Sequence, residues 1–239
     1  MPDFKLQSEP LPGTGQPVGL KVDTTPARRP QPETIEGLYG RIEKLQSHHT
    51  ADLWDAVKGN DDLWTYMGDG PFSDPEIFAE FVAKRAGLAD PYAYAIIDEN
   101  GRAGGYFTLM EIRPEARVIE VGNVLYSPAL KQTRLASEAQ YLLARYVFDS
   151  LGYRRYEWKC NALNAPSRRA ALRYGFAFEG VFRNAIIVKG RNRDTAWYSM
   201  MDSEWPARKA AFERWLAPDN FDSAGRQKSS LSELNGAAG

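Results

Sequence analysis

Apolar and polar positions alternate most clearly in the middle of the chain. Val118–Tyr126 reads as an apolar strand that stops at Pro128, where a missing N–H ends ladder pairing. Beyond it the spacing changes from two to between three and four. Leu135, Ala139, Leu142, Leu143, Tyr146 and Val147 then fall on one face of a helix predicted over about residues 133–151. A strand is predicted at Tyr153–Cys160, and Asn164-Ala165-Pro166-Ser167 opens a second helix that ends at Gly175. Two more strands follow from Phe176, the last at Asp194–Met200.

Upstream, Leu38–Leu45 alternates as a strand, and Thr50 is expected to cap a helix running through Leu53, Trp54 and Val57. Short helical turns around Leu63–Tyr66 and a helix from Asp74 through Phe78, Phe81 and Val82 come next. Tyr92–Ile97 and Tyr106–Ile112 flank Asp98-Glu99-Asn100-Gly101, which predicts an antiparallel hairpin with Asn100-Gly101 in a type I′ turn. Hairpins together with one strand–helix–strand crossover imply an α/β fold, a mixed sheet flanked by helices, part antiparallel and part parallel.

The two ends read differently. Residues 1–33 carry seven of the fifteen prolines and cannot bury enough apolar surface to offset ordering entropy, so an extended Pro-rich arm is expected. Residues 218–239 are polar and small and read as a disordered tail, which leaves 34–217 as the folded unit, without repeats. With 43% hydrophobic residues in 239, one domain with a real core is affordable. The balance of 30 basic against 31 acidic residues offers no global attraction to nucleic acid or to an anionic membrane. Cys160 is the only cysteine, so no intrachain disulfide can form. The absence of a signal-like segment and of a long apolar run points to a cytoplasmic protein without a membrane partner.

Candidate chemistry gathers at the two helix starts. Lys131-Gln132-Thr133-Arg134-Leu135-Ala136 presents two cations beside the first free N–H groups of a helix, a combination suited to a pyrophosphate. Ser167 reads either as a hydroxyl completing a helix start or as a functional group, and Asn164 as a cap. Trp64, Tyr66, Met67 and Phe72, around Gly68-Asp69-Gly70-Pro71, either wall an acceptor pocket or pack as core. His48 and His49, the only histidines, suggest capping and solvation rather than a metal site. Cys160, on a strand, reads as core.

The order of elements, the basic turn and the run from Asn164-Ala165-Pro166-Ser167 to Tyr174-Gly175-Phe176 resemble the GNAT superfamily of acetyl-CoA-dependent N-acetyltransferases. Glu179–Arg183 and Lys189–Tyr198 are similar to the branch that acetylates N-terminal alanines of ribosomal proteins, and the likeness spans about residues 35–205. It implies acetyl-CoA as co-substrate, no metal, and an amine acceptor such as a peptide N-terminus or a small molecule. The family's phosphate signature falls on Lys131, Gln132, Thr133, Arg134, Leu135 and Ala136, with Arg134 where the family has glycine. An arginine there either obstructs the close backbone approach or clamps phosphate. The resemblance also implies that the main chain of Val124, Leu125 and Tyr126 pairs with pantetheine, that Asn164 touches it, and that Ser167 lies near the sulfur to protonate the thiolate. Ile186 occupies the place of a glutamate found in some members. Glu120, on the central strand, is the candidate base in its stead, with Glu111 and Glu179 as further acids beside the cleft. The competing reading is a non-catalytic acetyl-CoA binder or RNA-associated factor using Arg191, Arg193, Trp197 and Tyr198. A homodimer is left open.

Overall fold

The computed structural model describes residues 6–237. Strands β1 (Glu9–Pro10) and β2 (Pro17–Val18) form a small hairpin, and β3 (Ile35–Glu36) and β4 (Gly40–Lys44) enter the main sheet. Helices α1 (Thr50–Val57) and α2 (Pro75–Gly87) precede β5 (Tyr92–Asp98), β6 (Ala103–Arg113) and β7 (Val118–Tyr126). Helix α3 (Arg134–Arg145) crosses over to β8 (Arg155–Asn161), and α4 (Ala165–Arg173), β9 (Ala177–Val188) and β10 (Arg191–Met201) complete the sheet. Helices α5 (Trp205–Leu216) and α6 (Leu231–Ala237) close the described chain. The eight-stranded order is β3-β4-β5-β6-β7-β8-β10-β9, antiparallel throughout except for β7 and β8. That one parallel pair requires a crossover, which α3 supplies.

One apolar cluster packs α3 and α5 on one face of the sheet, through Leu142, Leu143, Tyr156 and Phe212. A second packs α1 and α2 on the other, through Leu53, Phe78 and Val82. Helix α3 is buried almost all round. Its Glu138 accepts hydrogen bonds from the Leu38 and Tyr39 N–H groups, so a buried carboxylate fixes the entry into β4. No helix among the described residues is long and apolar enough to cross a membrane.

Several local expectations change. Asn100-Gly101 is not a type I′ turn: only Gly101 has positive φ (80°), and its N–H reaches the Asp98 carbonyl at 3.0 Å. The hairpin stands, with a four-residue turn and a bulge beside Ile97. Thr50 opens α1 from inside; the preceding loop is capped by reciprocal bonds between Gln46 and His49. The helix predicted to Leu151 ends as a π turn over Tyr146–Ser150. Within residues 6–33, the arm meets the domain through the Ala27 N–H on Pro114 (3.1 Å) and the Gln31 N–H on the Tyr146 hydroxyl (3.0 Å).

The largest difference lies at the C-terminal end. Residues 218–237, expected as a disordered tail, fold back as a 3-10 turn (Pro218–Asn220), a loop and α6. Asn220 and Leu231 are fully buried. Asn220 Nδ2 donates to the carbonyls of Trp215 (3.0 Å) and Ser229 (3.1 Å), and Asn235 Nδ2 donates to the Arg173 carbonyl at 2.9 Å. Polar side chains here satisfy backbone groups instead of facing water, and composition alone does not reveal that use.

Candidate active site

The site begins where a strand pair fails. Strands β7 and β8 are in register only from Val118↔Arg155 to Val121↔Trp158 and then diverge. Asn123, at φ 49°, bulges β7 at this point, and its Nδ2 is held by the Thr108 hydroxyl at 3.1 Å. From Gly122 to Tyr126, β7 remains paired with β6 on one edge and is open on the other. A cavity of about 1550 Å³ occupies the split. Val124, Leu125 and Tyr126 line it midway, so their main chain presents an unpaired strand edge to whatever enters.

At one end stands the start of α3. Thr133 is its N-cap: the hydroxyl accepts from the Ala136 N–H (3.1 Å) and donates to the Leu130 carbonyl (2.8 Å). The Arg134 and Leu135 N–H groups remain without intrahelical partners, as at any helix start. Lys131, Gln132, Arg134 and Ala136 line the cavity, whereas the Leu135 side chain turns into the core. Arg134 lies sideways: its guanidinium stacks 3.8 Å from the ring centre of Phe221 and 5.5 Å from that of Tyr39. Arg169 and Arg173 of α4 line the cavity too, and among the described residues none of Lys131, Arg134, Arg169 and Arg173 forms an ion pair with a carboxylate.

The start of α4 stands beside the split. Asn164 caps it through Oδ1, which accepts from the Ser167 N–H at 3.1 Å. The Ser167 hydroxyl accepts from Trp158 Nε1 at 3.0 Å, which leaves its own proton to be donated, either to the neighbouring Cys160 sulfur or into the cavity. Cys160 lies nearby. Burial pushes its thiol up, and the Ser167 hydroxyl partly offsets this.

The other end is carboxylate-bearing. Glu120 is buried but lines the cavity, with Lys159 Nζ at 2.8 Å. Burial raises its carboxyl above the ordinary range, and Lys159 opposes the rise. Lys159 also reaches Glu157 at 3.1 Å. Burial pushes Glu157 up too, but Arg155 and Lys159 outweigh it and hold this carboxyl low. The pair therefore separates into a raised and a lowered acid, and the raised one faces the cleft. Glu179 is spent elsewhere: it takes both guanidinium nitrogens of Arg155 and the Ser199 hydroxyl, and it is not in the lining. Glu111 does line the cavity.

Of the four aromatic and sulfur residues expected around the acceptor, Tyr66 and Met67 line the cleft. Trp64 and Phe72 do not. Trp64 is 2% exposed and meets Phe72 edge-on at 5.1 Å within a cluster that includes Phe78 and Phe81, which makes both residues core. The basic–aromatic strip also fails to form one surface. Arg193 and Trp197 line the cleft, while Tyr198 is buried on the opposite face of β10. Lys159 faces Trp197 across the ladder and sits 4.1 Å above its ring, a placement that depends on strand register and carries no local signal in the sequence. Arg169, Arg173, Trp215 and Phe221 carry no local signal in the sequence, because they meet only in the tertiary structure.

Among the described residues, Glu43, His48 and His49 bring three possible metal-ligand atoms together. His49 Nδ1 accepts the Gln46 N–H at 3.0 Å, so in the neutral ring Nε2 carries the proton and donates to Glu43 at 2.9 Å. This arrangement is a cap, with the ligand lone pair already used.

No curated protein matches the chain. Residues 41–177 match the family model described as acetyltransferase (GNAT) domain. A GCN5-related N-acetyltransferase from Brucella melitensis is 45% identical, with 89% of this chain and 98% of that one aligned at a TM-score of 0.87. A protein described as a probable acetyltransferase of the GNAT family from Chromobacterium violaceum is 37% identical over 82% of this chain and all of its own, at 0.75. At 20% identity and 0.62, an acetyltransferase from Salmonella typhimurium that modifies the N-terminal serine of ribosomal protein L7/L12 shares the fold, covering 71% of this chain and 99% of its own. A split sheet with a basic helix start at one end, joined to these matches, leads to one conclusion: the chain belongs to the GNAT family and is an acetyltransferase.

Proposed function

We propose that this enzyme transfers acetyl from acetyl-CoA directly to a primary amine, with donor and acceptor meeting in the split between β7 and β8. The observation that carries the reading is the cavity's polarity: unneutralised cations at one end and a raised carboxyl at the other. The phosphates of the donor suit Lys131 and the free N–H groups of α3, and its pantetheine suits the open edge of Val124–Tyr126. The amine nitrogen forms its bond to the thioester carbon, and a main-chain N–H of that edge stabilises the oxyanion. Glu120 accepts the amine proton, directly or through water; its raised carboxyl makes it a stronger base than an exposed glutamate. As the carbon–sulfur bond breaks, the Ser167 hydroxyl donates to the thiolate, and the proton is replaced from solvent.

Thiol release across a panel of peptide N-termini, polyamines and amino-acid-like amines, with acetyl-CoA as donor, tests the reading. Turnover with at least one amine, abolished by Glu120→Gln without loss of acetyl-CoA affinity, is expected. Acetyl-CoA binding with no amine turned over would count against it.

A further inference from the structure

We infer that the C-terminal segment, residues 218–237, is part of the donor site, where it positions Arg134 and Arg173 for a phosphate of the donor's nucleotide. The inference rests on acetyl-CoA being the donor and is independent of the acceptor. Trp215, Phe221, Gly225 and Gln227 line the same end of the cavity as the two arginines. Each guanidinium lies over an aromatic ring: Arg134 over Phe221 at 3.8 Å, and Arg173 over Trp215 at 4.8 Å. Stacking occupies the faces of a guanidinium and leaves its edge N–H donors in the plane free, the arrangement that forks onto phosphate oxygens.

The rings are themselves fixed. Trp215 Nε1 donates to Gln227 Oε1 at 2.8 Å, and Phe221 packs edge-on against Trp215 at 5.3 Å. Asn235 ties α6 to the Arg173 carbonyl, and Arg208 Nη1 donates to the Asn235 carbonyl at 2.8 Å. Arg173 Nη1 also donates to the Ser137 hydroxyl at 3.0 Å, which turns it toward the first turn of α3. Neither arginine has a carboxylate partner among the described residues. Two cations held by aromatic rings beside a helix start, with no acid to neutralise them, form a prepared anion site. The family match ends at residue 177, so the segment lies outside it.

Calorimetric binding of CoA, 3′-dephospho-CoA and pantetheine to the full chain tests this. Phe221→Ala should weaken CoA about fivefold, the scale of one cation–π contact, and leave pantetheine unchanged. Phe221→Tyr, which keeps the ring, should restore CoA affinity. Arg173→Gln should weaken CoA by roughly 10- to 100-fold, since a charge-assisted contact is removed. If dephospho-CoA escapes these losses, the 3′-phosphate is the one bound; if it shares them, the pyrophosphate is. Equal losses on pantetheine, or unchanged CoA affinity in both Phe221→Ala and Arg173→Gln, would overturn the inference. Should Phe221→Ala fail to fold, Arg173→Gln and Phe221→Tyr still decide it. Failure of the parent protein to bind CoA at all would instead remove the donor reading.

Discussion

The two ends of the cleft solve opposite electrostatic problems. Around α3 and α4, Lys131, Arg134, Arg169 and Arg173 line the cavity, none of them in an ion pair among the described residues. At the other end, Glu120 is paired with Lys159, which is shared with Glu157. A ligand whose charge never changes can be met by permanent, unneutralised cations. A step that moves a proton needs a group whose own charge is adjustable, and burial against a single shared lysine adjusts it.

Four variants sharpen that contrast. Glu120→Gln should have the largest effect, a fall in kcat on the order of 100- to 10,000-fold with donor affinity intact. If Glu120 is the base it acts in its ionised form, and since burial raises its pKa the parent's rate should then climb with pH through an ionisation above the ordinary glutamate range. That step should vanish in the variant; a pH–rate profile checks it, and an unchanged profile would place the base elsewhere. At the opposite end, Lys131→Ala with Arg134→Ala should weaken CoA on the order of 100-fold by calorimetry, leave kcat at saturation unaltered, and reduce the salt dependence of binding. A fall in kcat with unchanged affinity would reverse the assignment of the two ends.

Between the ends, Ser167→Ala should lower kcat by roughly tenfold or more with little movement of the donor's Kd, if the hydroxyl serves the thiolate. A smaller loss accompanied by a lower Tm would make Ser167 a helix-start residue held by Trp158. The smallest effect is expected from Phe72→Leu, which should cost about 1 kcal/mol of stability in denaturant unfolding and leave acceptor KM unmoved, because Phe72 packs in the core. A raised KM would return it to the pocket.

Legibility in the sequence followed the range of the interaction. Thr133 and Asn164 cap their helices within three residues, and β7 runs from Val118 to Tyr126 as its apolar pattern predicts. Trp64 and Tyr66 sit two residues apart beside the same glycines, yet one is core and the other cleft, a choice made by Phe72, Phe78 and Phe81 from elsewhere in the chain. The C-terminal segment has no periodic apolar stripe. Its order comes from isolated anchors: Asn220, which ties Trp215 to Ser229, Leu231, which is buried in the core cluster, and Asn235, which meets the distant Arg173 carbonyl. The position of Arg134 in place of glycine makes sense only once Phe221 is known to lie beside it.

Cys160 has a practical consequence. It is the only thiol in the chain, it lines the cleft beside Ser167, and it is 6% exposed with a raised pKa. Alkylating reagents can therefore modify one place alone, slowly, and by way of the cleft. A molecule filling the split would shield that sulfur, so the rate of labelling, followed by intact-protein mass, becomes a built-in gauge of occupancy that requires no engineered probe and no turnover.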